Sequence, residues 1–371
     1  MRVILAAGGS GGHIFPAISV ARELEKMGVS DIFFVSSKRR LDKSLLESER
    51  EKCFFLSANP MPLRFNPLRT LVFMFKLFVD AAISVFLIAR LRPKVVVGFG
   101  GYSSGTIASA AKLFGIPLIV HEQNFLPGRA NKILSRFADR VAVSFRESAE
   151  YFPQGRTKVV YTGNPIRLDI LSNDRTKSAS RLGVNPGKLT VLVMGGSQGS
   201  SFLNRVVSEA ALRVKKKRGD EVQFIHLTGR SDYESIKKFY DDNEIPGRVF
   251  SFLTRIDDAY AASDVAVSRS GAAAVFELAY YAKPMILVPY PHPENNQRSN
   301  ALYFSQGGSA IYREESELTQ DGLAGELMDI LTDSERRDSL ARASGRLSAP
   351  GAGRLLAEEI IKLAGGFSKR R

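Results

Sequence analysis

The sequence predicts an α/β fold built from two doubly wound parallel-sheet domains in tandem. Three observations predict it. Short apolar runs alternate with helical patterns from end to end, as successive βα units demand. The runs are rich in Val, Ile and Phe and lack polar alternation, which fits parallel strands buried on both faces. The pattern also starts twice. "LAAGGSGGH" follows the first run and a near copy, "VMGGSQGSS", a later one: Gly8, Gly9, Ser10 and Gly12 match Gly195, Gly196, Ser197 and Gly199 at one constant offset of 187 residues. The chain has 371 residues, and at roughly 100–200 residues per domain two domains fit that length.

The first set of expected strands covers residues 2–7, 32–36, 53–57, 95–99, 117–122 and 140–144. A helix is expected over 16–28, with Gly28 as its stop. The second set covers 189–195, 221–227, 248–253, 264–268 and 284–290. Between the sets lies "TGNPIR" (162–167), whose Gly-Asn-Pro is turn chemistry, and the domain boundary is placed there. "KKKR" (215–218) before Gly219 reads as a solvated, dipole-matched helix C-terminus. One helix and a basic tail close the chain.

Hydrophobic residues make up 44% and charged residues 24%, ordinary values for a globular protein. Cys53 is the one cysteine, which excludes an intrachain disulfide and a cysteine zinc site and points to a reducing, cytoplasmic compartment. It is expected as a buried strand residue. The apolar run after Arg2 is too short for a secretory signal. The formal net charge of +14 suits an anionic partner (nucleic acid, acidic lipid or a phosphorylated substrate) or solubility alone.

The glycine loops fail the common nucleotide patterns. A dinucleotide fingerprint needs G-x-G-x-x-G and an acid at the end of the second strand. Here Ile14 stands at the third glycine's place, and "KRR" (38–40) follows the second strand. The Walker pattern is absent. What remains is an anion-binding geometry: glycines admit close backbone approach, and a helix N-terminus after each loop offers unpaired N–H groups. A third loop, "GFGGYSSG" (98–105), also follows a strand. His13, in the first turn after its loop, is a candidate general base. His121, His226 and His292 show no metal-ligand spacing, no D-x-D pair occurs, and no metal is expected. In "SRSGAAAVFE" (268–277), Gly271-Ala272 opens a helix that can face a diphosphate, and Glu277 can accept two hydrogen bonds from a ribose diol. Asn296, Gln297 and Asn300 suit sugar hydroxyls.

Taken in order, "GGSGGH", "GFGGYSSG", "HEQN" (121–124), "TGNPIR", "GGSQGS", "SRSGAAAVFE" and "NNQRSNA" closely resemble the undecaprenyldiphospho-muramoylpentapeptide β-N-acetylglucosaminyltransferases of peptidoglycan synthesis, over nearly the whole chain. The resemblance implies a GT-B type fold, two Rossmann-like domains facing across a cleft. Residues 1–162 would form the acceptor and membrane side, 163–345 the UDP-sugar side, and 346–371 a helix returning to the first domain plus a basic tail. It implies inverting transfer of GlcNAc from UDP-GlcNAc to lipid I, giving lipid II, with no cofactor and no nucleic acid. It places the chain peripherally on the cytoplasmic face of a bacterial membrane, near other cell-wall synthesis proteins.

The same resemblance assigns roles. Ser10, Gly11 and Gly12 would contact the donor sugar, the diphosphate region or the acceptor diphosphate, and Tyr102 would be a further substrate-binding residue. Asn124, Arg167 and Ser197 would line the donor site, and Leu253 would touch uracil. Ala272 would meet the diphosphate, Glu277 the ribose, and Gln297 and Asn300 the GlcNAc hydroxyls. His13 would be the base or a key orienter, and Glu277 is counted with it among the catalytic residues. Asn296-Gln297 departs from the family's frequent Gln-Gln pair, Asn296 being shorter by one methylene, so the sugar role rests on Gln297; "AAVF" (273–276) is less polar than the family pattern, so the roles there rest on the backbone.

Residues 66–93 are the most apolar stretch and long enough to tempt a membrane span. At about 100° per residue, however, Arg69, Lys76, Asp80, Ser84 and Arg90 share a roughly 120° stripe, and Lys76 and Asp80 are an i,i+4 pair. The stretch is therefore expected as a crossover helix. Its apolar arc exceeds what one sheet face needs, and Arg64, Arg69, Arg90 and Arg92 would rim an apolar patch suited to an anionic membrane surface. The rival readings are a UDP-GlcNAc 2-epimerase, another GT-B glycosyltransferase with a lipid acceptor, a nicotinamide reductase using "KRR", and a non-enzymatic UDP-sugar sensor.

Overall fold

The computed structural model describes residues 1–58, 66–153, 158–166, 174–196, 198–292 and 296–368. The chain divides into two compact units, residues 1–167 with 349–371, and residues 168–348.

In the first unit the strands are β1 (Arg2–Ala6), β2 (Asp31–Ser37), β3 (Cys53–Leu56), β4 (Val95–Gly98), β5 (Leu118–Glu122), β6 (Arg140–Val143) and β7 (Lys158–Tyr161). They form one parallel sheet in the order β3-β2-β1-β4-β5-β6-β7. Its helices are α1 (Gly11–Lys26), α2 (Arg40–Leu45), α3 (Pro67–Leu91), α4 (Tyr102–Leu113) and α5 (Arg129–Ser135). The sheet's period of two sorts its core into two layers. Val3 and Leu5 face one cluster with Ile14, Ala17 and Leu24 of α1, while Ile4 and Ala6 face another with Leu87 and Ile88 of α3 and Ile107 of α4.

The second unit contains α6 (Arg175–Leu182), β8 (Leu189–Met194), α7 (Ser201–Arg218), β9 (Val222–Leu227), α8 (Tyr233–Asp242), β10 (Gly247–Phe250), α9 (Ile256–Ala262), β11 (Val265–Ser268), α10 (Ala272–Tyr280), β12 (Met285–Leu287), α11 (Gln297–Gln306), β13 (Ala310–Tyr312), α12 (Gln320–Thr332) and α13 (Ser334–Leu347). Its parallel sheet runs β10-β9-β8-β11-β12-β13. Val191 and Val193 pack with Val207, Ala211 and Val214 of α7 and with Leu323 and Leu327 of α12. The basic last turn of α7 ends on the cap residue Gly219, as the sequence indicates.

The last helix, α14 (Ala352–Ser368), belongs to the first unit. Leu356, Ala357 and Ile360 are fully buried in the cluster that holds α1. Burying a leucine or isoleucine contributes roughly 1.5–3 kcal/mol, so this face alone fixes the helix on its unit. Arg140 adds an ion pair to Glu359 at 2.8 Å.

Every apolar run expected as a strand forms one. Several details differ. α1 begins at Gly11, so His13 stands in its first turn directly after the glycine loop, as expected, and the helix extends N-terminally of the 16–28 stretch and holds Pro16 inside it. The first unit runs to Arg167, the last residue of the "TGNPIR" segment in which the boundary is expected. The cause is local packing: Ser19 Oγ donates to the Ile166 carbonyl at 2.7 Å, and His121 Nε2 lies 3.2 Å from the Gly163 carbonyl. Cys53 is half-buried, not buried, and burial with the nearby Glu49 charge pushes its thiol up to about 12.

Helix α3 corrects the sequence reading of its faces. Asp80 and Ser84, placed in the polar stripe, point into the unit. The Asp80 carboxylate accepts the Ser57 and Ala58 N–H groups at 2.8 Å each, so it does not pair with exposed Lys76. The apolar residues turn outward: Leu68, Leu71, Phe75 and Phe78 are each about 70% exposed. By length and composition α3 is the one described helix able to cross a membrane.

Candidate functional site

In an open parallel sheet, ligands bind beyond the carboxyl ends of the strands, where the strand order reverses. In the first unit that point lies between β1 and β4, and in the second between β8 and β11. The first unit's loops there are "GGSGG" and "GFGGYSSG"; the second unit's are "GGSQGS" and "SRSGA". The chemistry singled out in the sequence thus falls at the same topological place in both sheets.

In the first unit the two loops touch. A side chain on Gly101, whose φ is +79°, would put its Cβ 2.4 Å from the Gly8 carbonyl oxygen, so only glycine permits this approach. Ser104 Oγ donates to the Ala6 carbonyl at 2.8 Å, tying α4 to β1. Ser10 is the α1 N-cap, and its carbonyl accepts the His13 and Ile14 N–H groups. Gly11 and Gly12 begin the helix, where N–H groups lack intrahelical partners by geometry. His13 is half-buried, with Nδ1 2.9 Å from the Gly8 carbonyl oxygen and 3.4 Å from Ser10 Oγ. That carbonyl can only accept, so Nδ1 carries the proton and Nε2 is left as the basic nitrogen. Tyr102 opens α4 and is 54% exposed.

Asn124 follows β5 in the first unit. Its N–H and side-chain amide both donate to Glu122 Oε1, at 2.9 and 3.2 Å. Glu122 is buried and also accepts Gly128 N–H and Asn131 Nδ2, so it organises the whole "HEQN" turn. His121 is fully buried, and desolvation pulls it down to about 4, the His13 charge adding to this and the Gly163 hydrogen bond opposing it. It is a structural residue between β5 and the "TGN" turn.

In the second unit Gly199 is the close-approach position: at φ +82°, its Cβ would fall 2.0 Å from the Thr228 carbonyl oxygen. Ser200 caps α7. Arg269, in "SRSGA", is buried and donates to Ser200 Oγ at 2.6 Å and to the Pro289 carbonyl at 2.9 Å, and pairs with Glu315 at 2.5 Å. It locks the glycine loop to the ends of β11 and β12. Ala272 is the first residue of α10, and Gly271 its cap. Glu277 is 9% exposed, and its Oε2 accepts the Tyr260 hydroxyl at 2.6 Å. Asn300 is buried, with Nδ2 donating to the Ser270 carbonyl at 3.1 Å, and Gln297 Oε1 accepts Tyr290 N–H at 3.1 Å. Leu253 lies between β10 and α9, at the same strand ends. Arg167 and Ser197 lie outside the described residues.

So Glu277, Ala272, Gln297 and Asn300 gather around one loop system in the second unit, and Ser10, Gly11, Gly12, His13 and Tyr102 around another in the first. The sequence reading missed Asp42, Glu122, Tyr260 and Arg269. Only Arg269 carried a signal, as a cation inside a glycine-serine turn.

The glycosyltransferase family 28 N-terminal domain matches residues 3–143, and the family's C-terminal domain matches residues 190–354. The chain belongs to glycosyltransferase family 28. Each family 28 domain carries one of the two loop systems. A Desulfotalea psychrophila relative, a UDP-N-acetylglucosamine–N-acetylmuramyl-(pentapeptide) pyrophosphoryl-undecaprenol N-acetylglucosamine transferase, is 38% identical over 360 residues, 96% of this chain and 95% of its own length. A Halalkalibacterium halodurans relative of the same name is 33% identical over 98% of this chain and 100% of its own. The crystal structure of Acinetobacter baumannii MurG superposes with a TM-score of 0.76 at 26% identity, covering 98% of this chain and 100% of that one. A Neisseria meningitidis UDP-GlcNAc 2-epimerase shares the fold alone, at 15% identity and a TM-score of 0.65 over 98% of this chain and 100% of its own.

Proposed function

We infer that this family 28 member transfers N-acetylglucosamine from UDP-N-acetylglucosamine to an undecaprenyl-diphospho-muramoylpentapeptide acceptor, with inversion, to form the disaccharide lipid of peptidoglycan synthesis. The observation that carries this reading is the 38% identity, over nearly the whole chain, to a relative named for that reaction. The donor belongs to the second unit's loop system. There the α10 N-terminus meets the diphosphate, Glu277 the ribose, Leu253 the uracil, and Gln297 and Asn300 the sugar, with Ser197 as a further donor contact; Arg167 and Asn124, which belong to the first unit, are donor contacts by the family resemblance. The acceptor belongs to the first unit's loops, with Ser10, Gly11, Gly12 and Tyr102.

His13 Nε2 takes the proton from the acceptor hydroxyl as its oxygen bonds to the anomeric carbon. The bond from that carbon to UDP breaks, and its electron pair stays on the β-phosphate oxygen. General-base help of this kind contributes about 10²–10⁴-fold, and helix N-termini stabilise the departing diphosphate. The outward apolar face of α3 (Leu68, Leu71, Phe75, Phe78), with basic residues near its ends, rests on the anionic cytoplasmic face of the membrane, where a lipid-linked acceptor is found.

The test is incubation with labelled UDP-N-acetylglucosamine, with and without a muramoyl lipid-diphosphate acceptor. Acceptor-dependent UDP release with a disaccharide product is expected. Turnover of the donor without acceptor would replace this reading with an epimerase.

A further inference from the structure

The Asp42 carboxylate lies in α2, after the second strand, and is fully buried. Its Oδ2 accepts the Gly9 N–H at 2.8 Å and the Ser37 hydroxyl at 2.5 Å, with the Ser36 hydroxyl at 3.3 Å. The Gly9 N–H and the Gly8 carbonyl belong to one peptide group. That carbonyl accepts His13 Nδ1–H at 2.9 Å. A buried carboxylate and the ring of His13 are therefore joined through a single planar amide, carboxylate to N–H at one end and C=O to imidazole at the other.

The loop's sequence is fitted to this arrangement. A Cβ on Gly8 would fall 2.9 Å from Asp42 Oδ2 and 2.8 Å from Ser103 Oγ, so a side chain there would push the carboxylate off the peptide. A Cβ on Gly101 would fall 2.4 Å from the Gly8 oxygen itself. These glycines therefore leave both ends of one amide accessible to charged or ionisable partners, a requirement that anion binding by the loop does not impose.

We propose that Asp42 is a positioning residue for His13, acting through the Gly8–Gly9 peptide. Hydrogen bonds in series polarise one another. A carboxylate on the N–H makes the Gly8 carbonyl a stronger acceptor, which holds Nδ1 protonated and leaves Nε2 basic. When Nε2 takes the acceptor's proton, the same polarised carbonyl stabilises the imidazolium. The arrangement does at one peptide's remove what a directly bonded aspartate does for a histidine base.

The proposal rests on the reading of His13 as the base, and the experiment separates the two. Asp42→Asn, Asp42→Glu, His13→Ala and the Asp42→Asn, His13→Ala pair are compared in kcat and donor KM, with thermal stability as a check on folding. Asp42→Asn is expected to lower kcat by about 10–100-fold, less than the roughly 10⁴-fold loss when a directly bonded aspartate is neutralised, with donor KM within about twofold. Asp42→Glu is expected to recover most of that loss. In the His13→Ala background, Asp42→Asn is expected to add nothing further.

A kcat within about twofold of the parent for Asp42→Asn, or losses that multiply fully in the double variant, would overturn the proposal. A second readout stands if Asp42→Asn fails to fold. The chain has four histidines, so ¹⁵N spectra of the parent can assign His13 by comparison with His13→Ala. The Nδ1–H tautomer is expected; a dominant Nε2–H tautomer contradicts the relay. If His13→Ala leaves kcat unchanged, the base reading fails by itself, and the tautomer still decides whether Asp42 orients the ring.

Discussion

The two glycine loops occupy the same place in two similar sheets, yet they are held by opposite charges. In the first unit a buried carboxylate, Asp42, grips the Gly9 N–H, and the loop's carbonyl then binds a histidine. In the second a buried guanidinium, Arg269, paired with Glu315, grips Ser200 and the Val288 and Pro289 carbonyls that follow β12. The difference teaches that the repeated glycines encode a shared backbone geometry, while the chemistry comes from the charge set behind each loop. An anion behind a loop suits a neighbouring base that must become a cation. Behind the second loop the guanidinium is balanced by Glu315, so it fixes the loop's backbone, and an anion there is left to the helix N-termini.

This contrast can be broken or sharpened in four ways. The largest effect is expected from His13→Ala, with kcat for acceptor-dependent UDP release down about 10²–10⁴-fold; a rate within twofold of the parent would remove the first loop's catalytic role. Next come the two close-approach glycines. Gly101→Ala and Gly199→Ala each combine left-handed strain with a clash and should cost about 2–4 kcal/mol in urea unfolding. Gly196→Ala, also at positive φ but with open space around its Cβ, should cost only about 1 kcal/mol. Equal losses at all three positions would show that strain alone, not loop-to-loop contact, sets these glycines.

The third test is pH, and it treats the units alike. His121 in the first unit and His226 in the second are buried, and desolvation lowers them to about 4 and about 3. Their folded values lie below the ordinary 6.5, so the unfolded chain takes up protons first. Stability is full above that value and falls as pH drops towards the folded ones, by on the order of 2 kcal/mol per histidine between pH 7 and 5. His226→Gln should flatten the dependence for the second unit and leave the first unit's unchanged, read by thermal melts. The smallest effect is expected from Tyr260→Phe. It removes one donor to Glu277 and should raise donor KM by no more than about tenfold, with kcat held.

Much of this was legible in the sequence because buried parallel strands announce themselves. β1, β4 and β5 each carry an unbroken run of three Val, Ile or Leu residues without polar alternation, the polar His121 and Glu122 coming only at the carboxyl end of β5. The edge strands β7 and β13 are four and three residues long and only partly buried, so they lack that signature. The start of α1 was obscured because glycine is a poor helix former and a proline stands inside the helix. On α3 the polar stripe splits, because an angle does not say which residues face inward: Arg69, Lys76 and Arg90 are exposed, while Asp80 and Ser84 are buried, Asp80 being claimed by the Ser57 and Ala58 amides. Asp42 was invisible for a different reason: its partner Gly9 lies 33 residues away in sequence, and only the parallel pairing of β1 with β2 brings them together.

The central claim is a division of labour, donor affinity in the second unit and proton transfer in the first. Calorimetric titration of UDP into the parent, Glu277→Ala and His13→Ala proteins tests it most directly. The account predicts UDP affinity reduced about 10–100-fold by Glu277→Ala, the worth of a charged hydrogen bond, and unchanged by His13→Ala. Equal loss of UDP affinity in both variants, or loss only in His13→Ala, would contradict it.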